Sequence, residues 1–113
     1  MTNTTDRSEA IARLNDRARQ LMGIACRLVQ TQGICALPQA DQSAIREKVE
    51  TFKAFTPDND PYGERDFGAF EHAGQRIFWK IDYYALDLMH GSDDPSDTRQ
   101  TVRVLTIMLA SEY

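Results

Sequence analysis

The stretch from 75 to 84, "QRIFWKIDYY", constrains the fold more than any other. Ile77, Trp79, Ile81 and Tyr83 take every second position, and Arg76, Phe78, Lys80, Asp82 and Tyr84 take the alternate ones. A period of two describes a β-strand with one face buried. The preceding run, "FGAFEHAG", makes the pair an antiparallel hairpin turning over residues 72–75, with Gly74 free to adopt a positive φ. The first set of side chains belongs to the core. The second is mixed, as on a sheet face that meets water.

The rest of the chain changes period. Ala10, Ile11, Leu14, Ala18, Leu21 and Met22 recur at helical spacing. Asp6 with Glu9 fits a capping box ahead of them, and Gly23 fits a stop behind. Ile24, Cys26 and Leu28 then alternate with Ala25, Arg27 and Val29, which predicts a strand. Gly33 interrupts it, leaving either a second short strand over 34–36 or a bend in one irregular strand. Ala44, Ile45, Val49, Phe52 and Phe55 form the stripe of an amphipathic helix over 38–55, with Asp41 as N-cap. "GSDDPSDTRQ" introduces a last helix, with Asp94 as N-cap, Pro95 at the first helical position and Asp97 three residues beyond Asp94. Its stripe is Val102, Leu105, Met108, Leu109 and Tyr113. The β-branched Thr101, Val102, Val104, Thr106 and Ile107 make a strand the alternative. The expectation is an α+β fold of order α-β-α-β-β-α, with helices packed on a short, mostly antiparallel sheet. Residues 1–5 are expected to be disordered, and 6–113 to form a single domain.

No apolar run approaches the roughly 18 residues of a membrane span, and the first ten residues lack the basic and apolar regions of a signal peptide. The expected compartment is the cytoplasm, with no membrane partner. Cys26 and Cys35 lack CxxC spacing and are expected to be free, buried thiols. The net charge of −4 is unevenly spread: residues 58–97 hold ten Asp and Glu against three Lys and Arg, a local −7. Nucleic-acid binding needs clustered Lys and Arg, so no direct nucleic-acid contact is expected there. The acidic segment is either a solvated face or one that meets a basic partner.

Its centre is "DNDPYGERDFG", residues 58–68. An EF-hand reading starts well at Asp58, Asp60 and Gly63. It fails at the fifth place, Tyr62, and at the twelfth, Ala69, where a bidentate Glu is required. Asp58, Asp60, Glu64 and Asp66 leave a different hard-cation site open, and also a hydrolytic carboxylate pair. As a plain turn, Asp58 and Asn59 cap local backbone donors, Pro61 stiffens the chain, Gly63 takes a torsion others avoid, and Arg65 pairs with an acid. His72 and His90 are expected at the surface. There is no Ser–His–acid constellation, glycine-rich phosphate cradle or zinc motif, and no catalytic residue, metal ligand or cofactor is assigned. On the hairpin, Trp79 and Tyr83 are core, whereas Phe78 and Tyr84 require a cover. The candidate partner-binding residues are therefore Asp58, Asp60, Tyr62, Glu64, Arg65, Asp66, Asp93 and Asp94, with Phe78, Lys80 and Tyr84 from the hairpin.

The strings "LND", "FTPDNDPYGERDFGAFE", "IFWKIDYY" and "RVLTIMLASEY", from about Leu14 to Tyr113, resemble the bacterial family called domain of unknown function 3768. Arg65 stands where the family pattern has His, and Ala85 where it has Asp. The resemblance implies no activity. It implies an alphaproteobacterial origin, beside plasmid, integrative-element or phage genes, a setting in which small acidic proteins are often inhibitors of host defence. Three functions follow as expectations. One is a non-enzymatic binding protein that docks on a basic protein surface. The second is a small enzyme using Asp60, Glu64 or Asp66, with a pocket between the loop and the Trp79–Tyr84 strand. The third is a homodimeric module joined through the uncovered sheet face. Either a monomer or a homodimer fits the sequence.

Overall fold

The computed structural model describes residues 4–113, with side-chain surroundings from Asp6 onward. The fold is α+β. In chain order it has α1 (Thr4–Gln20), β1 (Arg27–Gln30), α2 (Gln32–Cys35), α3 (Gln39–Glu50), β2 (Phe67–His72), β3 (Gln75–Tyr84) and β4 (Val102–Leu109), then a 3-10 turn over Ala110–Glu112. Of the five residues expected to be disordered, 1–3 lie outside the described residues, and Thr4 and Thr5 are the first positions of α1. The sheet runs β1-β4-β3-β2. Three strands are antiparallel neighbours, and β1 joins β4 in parallel.

The hairpin forms where its alternation predicts. Phe70 pairs with Ile77 and Gly68 with Trp79 across it. Its two-residue turn holds Ala73 at φ 50° and Gly74 at φ 79°. Two left-handed residues make the turn whose twist matches that of the strands. Ile77, Trp79 and Ile81 are buried beneath the helices with Leu105 and Ile107 of β4, Ala18 of α1, Ile34 of α2, and Ile45 and Val49 of α3. Each fully buried large apolar side chain contributes about 1.5–3 kcal/mol of transfer free energy. All three helices thus pack on one face, and among the described residues no helix covers the other.

Several expectations change. The last predicted helix is strand β4. Its β-branched run pairs with β1 on one side and β3 on the other, so it gains two ladders where a helix would gain none. Asp94 caps a turn instead: its carboxylate accepts from the Ser96 backbone N–H at 3.1 Å and from the Ser96 hydroxyl at 2.5 Å. Residues 34–36, expected as a second short strand or as a bend in one irregular strand, instead form the end of the one-turn helix α2 and its C-cap, Ala36, and Ile24 is 84% exposed in the turn before β1. Helix α3 ends at Glu50, and Phe52 and Phe55 reach the core from the segment beyond it. Pro38, not Asp41, is its N-cap. Cys26 is buried as expected, but Cys35 is exposed.

His72 is more enclosed than expected. Its side chain is 13% exposed, with Nε2 2.9 Å from Asp41 Oδ1 and Nδ1 3.1 Å from Lys48 Nζ. An ammonium can only donate, so Nδ1 is the acceptor and Nε2 carries the proton towards Asp41. Lys48 also donates to the Glu71 carbonyl at 3.1 Å, so α3 occupies part of the free edge of β2.

Gly68 lies under Trp79, and a Cβ there would overlap the indole. Gly68→Ala is expected to cost about 1–3 kcal/mol through overpacking, lowering the melting temperature by several degrees. An unchanged thermal melt would refute this packing.

Candidate functional site

Helix α1 turns an unusual set of polar residues towards the sheet. Ile11, Ala12 and Ala18 share its buried side with Asn15, at 0% exposure, and Arg19, at 4%. A buried polar side chain must find partners within the protein. Asn15 finds three. Its Nδ2 donates to the Glu64 carbonyl at 3.0 Å and to the Tyr83 hydroxyl at 2.7 Å. Its Oδ1 accepts from Arg103 Nε at 2.8 Å. The Tyr83 hydroxyl donates in turn to Glu64 Oε1 at 2.9 Å, and Arg103 Nη2 to the Pro95 carbonyl at 2.5 Å. Burial, reinforced by the charges on Asp66 and Glu64, pushes the Tyr83 phenol far above its usual range.

One turn along, Asp16 takes a forked pair from Arg65, with Nε at 3.0 and 3.1 Å and Nη2 at 2.7 Å. Arg19 Nη2 reaches the same carboxylate at 2.7 Å. Burial pushes the Asp16 carboxyl up, but the bonds from Arg65 and Arg19 outweigh it and hold the group below its usual range. Arg19 also donates to the carbonyls of Val49 and Phe52, both at 2.9 Å, and lies over the rings of Trp79 and Phe55.

The acidic loop is tied to this seam. Asn59 Oδ1 accepts from Thr56 N–H at 2.8 Å, and its Nδ2 donates to the Ala54 carbonyl at 2.9 Å. Asp60 Oδ1 accepts from Arg65 N–H at 3.0 Å. Gly63, at φ 68°, and Arg65, at φ 54°, make the two left-handed steps that aim Arg65 at α1. Glu64, Arg65 and Asp66 are therefore turned inward, and Asp60 is half-buried. Asp58 and Tyr62 stay outside, Tyr62 at 79% exposure. An open groove of about 710 Å³ runs beside Tyr62, bounded by Ser8 and Glu9 of α1 and by Phe55, Pro57 and Asp60.

The remaining candidates fall into two other places. Asp94 is 3.3 Å from Arg7 at the start of α1, with exposed Asp93 beside it. Phe78, Lys80 and Tyr84 lie on the uncovered sheet face, away from the seam. There Phe78 packs edge-on with Phe67 and Tyr113, and Lys80 pairs with Asp82 at 2.8 Å. The pocket expected between the loop and the 79–84 strand is not formed: Trp79 is fully buried, and the Tyr83 hydroxyl is bonded to both Asn15 and Glu64. Among the described residues no group of three or more His, Cys, Asp and Glu side chains could hold a metal ion. No helix among them is long and apolar enough to cross a membrane.

The structure defines a small α+β protein in which a polar seam fastens an acidic loop to a four-stranded sheet with one uncovered face. The chain belongs to the family described as Protein of unknown function (DUF3768), whose family model matches residues 30–112. That span holds the acidic loop and the whole sheet apart from the first three residues of β1, and begins after α1, where Asn15, Asp16 and Arg19 lie. No curated protein and no solved structure matches the chain.

Two carboxyls give pH dependences of opposite sign. Asp16, held below its unfolded value of about 4, contributes stability that is present above that pH and lost as pH falls through the folded value. Arg65→Met removes its main partner and is expected to cost about 1–3 kcal/mol at pH 7, with a smaller cost at pH 2–3. Asp66 is raised by burial first, then by the neighbouring charges of Glu64, Asp60 and Asp82. Its contribution is present at low pH and lost as pH rises through the raised value. Asp66→Asn is expected to raise the melting temperature at pH 7 and to change it little at pH 3. Melts at both pH values check each sign, and a lower melting temperature for Asp66→Asn at pH 7 would contradict the assignment.

Proposed function

We propose that the protein is a non-enzymatic binding module whose acidic loop docks on a basic surface of a protein partner. The observation that carries this reading is Tyr62, 79% exposed at the tip of a loop locked from within by Asn59, Asp60 and the Arg65–Asp16 fork. A rigid, exposed aromatic loses little freedom on binding, and tyrosine is among the residues that dominate binding energy. Asp60 and Glu9 line the groove beside it, and Asp58 is exposed on the same loop; this negative charge speeds encounter with a basic partner. Exposed Asp93 lies next to Asp94, whose carboxylate is 3.3 Å from Arg7 in the first turns of α1, and adds a further acid for a basic partner to meet.

In the mobile-element setting that the family resemblance implies, the partner is a nucleic-acid-binding protein of a host defence system. The loop then occupies the groove that would otherwise take phosphates. Glu64, Arg65 and Asp66 serve this reading indirectly, by holding the tip in place.

The test is affinity capture from cells that carry the gene, with wild type, Tyr62→Ala and Asp58→Asn as baits at low and high salt. Wild type is expected to retain a basic protein in a salt-sensitive manner. Tyr62→Ala should weaken retention by roughly tenfold or more, since truncating an anchor costs about 2 kcal/mol. Equal retention by the wild type and Tyr62→Ala would overturn the reading.

A further inference from the structure

We infer that the uncovered sheet face is the interface with a second copy of this chain, packed about a two-fold axis that runs along β4. The inference starts from β4 itself. A strand with one wet face alternates apolar and polar, whereas a strand covered on both faces is apolar throughout. The central strand β4 turns Arg103, Leu105, Ile107 and Leu109 towards the helices and Val102, Val104, Thr106 and Met108 the other way. Met108 is already buried within the chain, beside Phe78, which packs on Tyr113, and Val102, Val104 and Thr106 are the half-buried part left for a partner to cover.

Charge selects the occupant. Across the face, register sets Arg27 of β1, Val104 of β4 and Asp82 of β3 in one row. A two-fold axis along β4 lays Val104 on its own copy and reverses the row. Arg27 of each copy then faces Asp82 of the other, twice over, as a second cation beside Lys80, which holds the same carboxylate at 2.8 Å within each chain. A self-complementary patch of this kind is what an isologous dimer requires. The basic partner proposed for the acidic loop would instead meet Arg27 and Lys80 here, so the two surfaces are distinct. The axis lays β4 on β4 and β1 on β3 and leaves β2 overhanging at each edge; with strands about 4.8 Å apart and β1 only 4 residues long, the overlapped footprint is on the order of 250 Å² on each copy. Two such faces total about 500 Å², the size of a weak, transient interface. Sheets packed in this way lie about 10 Å apart with strands within roughly 30° of each other.

Sedimentation equilibrium tests the arrangement. Wild type is expected to dimerise weakly, with a Kd of roughly 100 μM to 1 mM, from its 12.8 kDa monomer. Val104→Arg brings two like charges together on the axis and should weaken association about a hundredfold. Arg27→Asp and Asp82→Lys each place like charges opposite one another and should each weaken it roughly tenfold. An equimolar mixture of those two variants restores both opposite pairs and should recover dimer as a heterodimer. Arg27 is exposed, so Arg27→Asp remains decisive if Val104→Arg fails to fold. A wild type that stays monomeric up to roughly 1 mM overturns the inference. So does a mixture that shows no recovery, or a folded Val104→Arg that associates like wild type.

Discussion

Asn15 is the point on which the layers of this protein agree. It sits fully buried on α1, and its amide reaches the backbone of the acidic loop, the hydroxyl of Tyr83 on β3 and the guanidinium of Arg103 on β4. Apolar contacts tolerate sliding, because many arrangements bury similar area. A buried amide with three specific partners does not, since a shift leaves a desolvated donor or acceptor unmet, at about 1–3 kcal/mol each. The neighbouring Asp16 works in the same way with ionic bonds. It draws Arg65 from the loop and Arg19 from its own helix to one carboxylate, and Arg19 continues to the end of α3.

This arrangement divides the acids of the chain by role. Glu64 and Asp60 accept hydrogen bonds within the fold, and Asp66 is carried into a half-buried place among other carboxylates. Asp58 and Asp93 face solvent. One stretch of sequence therefore supplies both the fastening of a loop and the charge on its outside. Burying a carboxylate near others opposes folding at neutral pH, and the bonds made by Asn15, Tyr83 and Arg65 around it offset that cost.

Much of the fold was legible in the amino-acid order, and the reason is periodicity. The alternation of Ile77, Trp79, Ile81 and Tyr83 names the core face of β3 without ambiguity, and Gly74 marks its turn. The error at β4 shows the limit of local signals. Asp94-Pro95 caps a helix or a turn equally well, and only the β-branched residues after it decide for strand. The acidic loop was recognisable as a turn, but its anchor was not, because Asp16 lies 49 residues from Arg65. Asn15 and Arg19 did leave a trace: they fall on the helical face of Ile11, Ala12 and Ala18, where apolar residues belong. A polar pair at that spacing signals partners across the core without saying which. Cys35 is exposed despite the apolar character of its thiol, because it ends the short helix α2 at the surface.

The parallel pairing of β1 with β4 has a consequence for how the chain reaches this state. Arg27 and Val104 are register partners 77 residues apart, whereas β2, β3 and β4 follow one another through nearer turns. During synthesis α1, α2 and α3 emerge with β1, before the other three strands of the sheet. Ile11, Ile34, Ile45 and Val49 then wait in water, or on a chaperone, until β4 has been made. Loop closure over that distance comes before any reward from native contacts, which slows folding. A chain ending before Val102 would hold three helices and the β2–β3 hairpin, with no strand to join β1 to it.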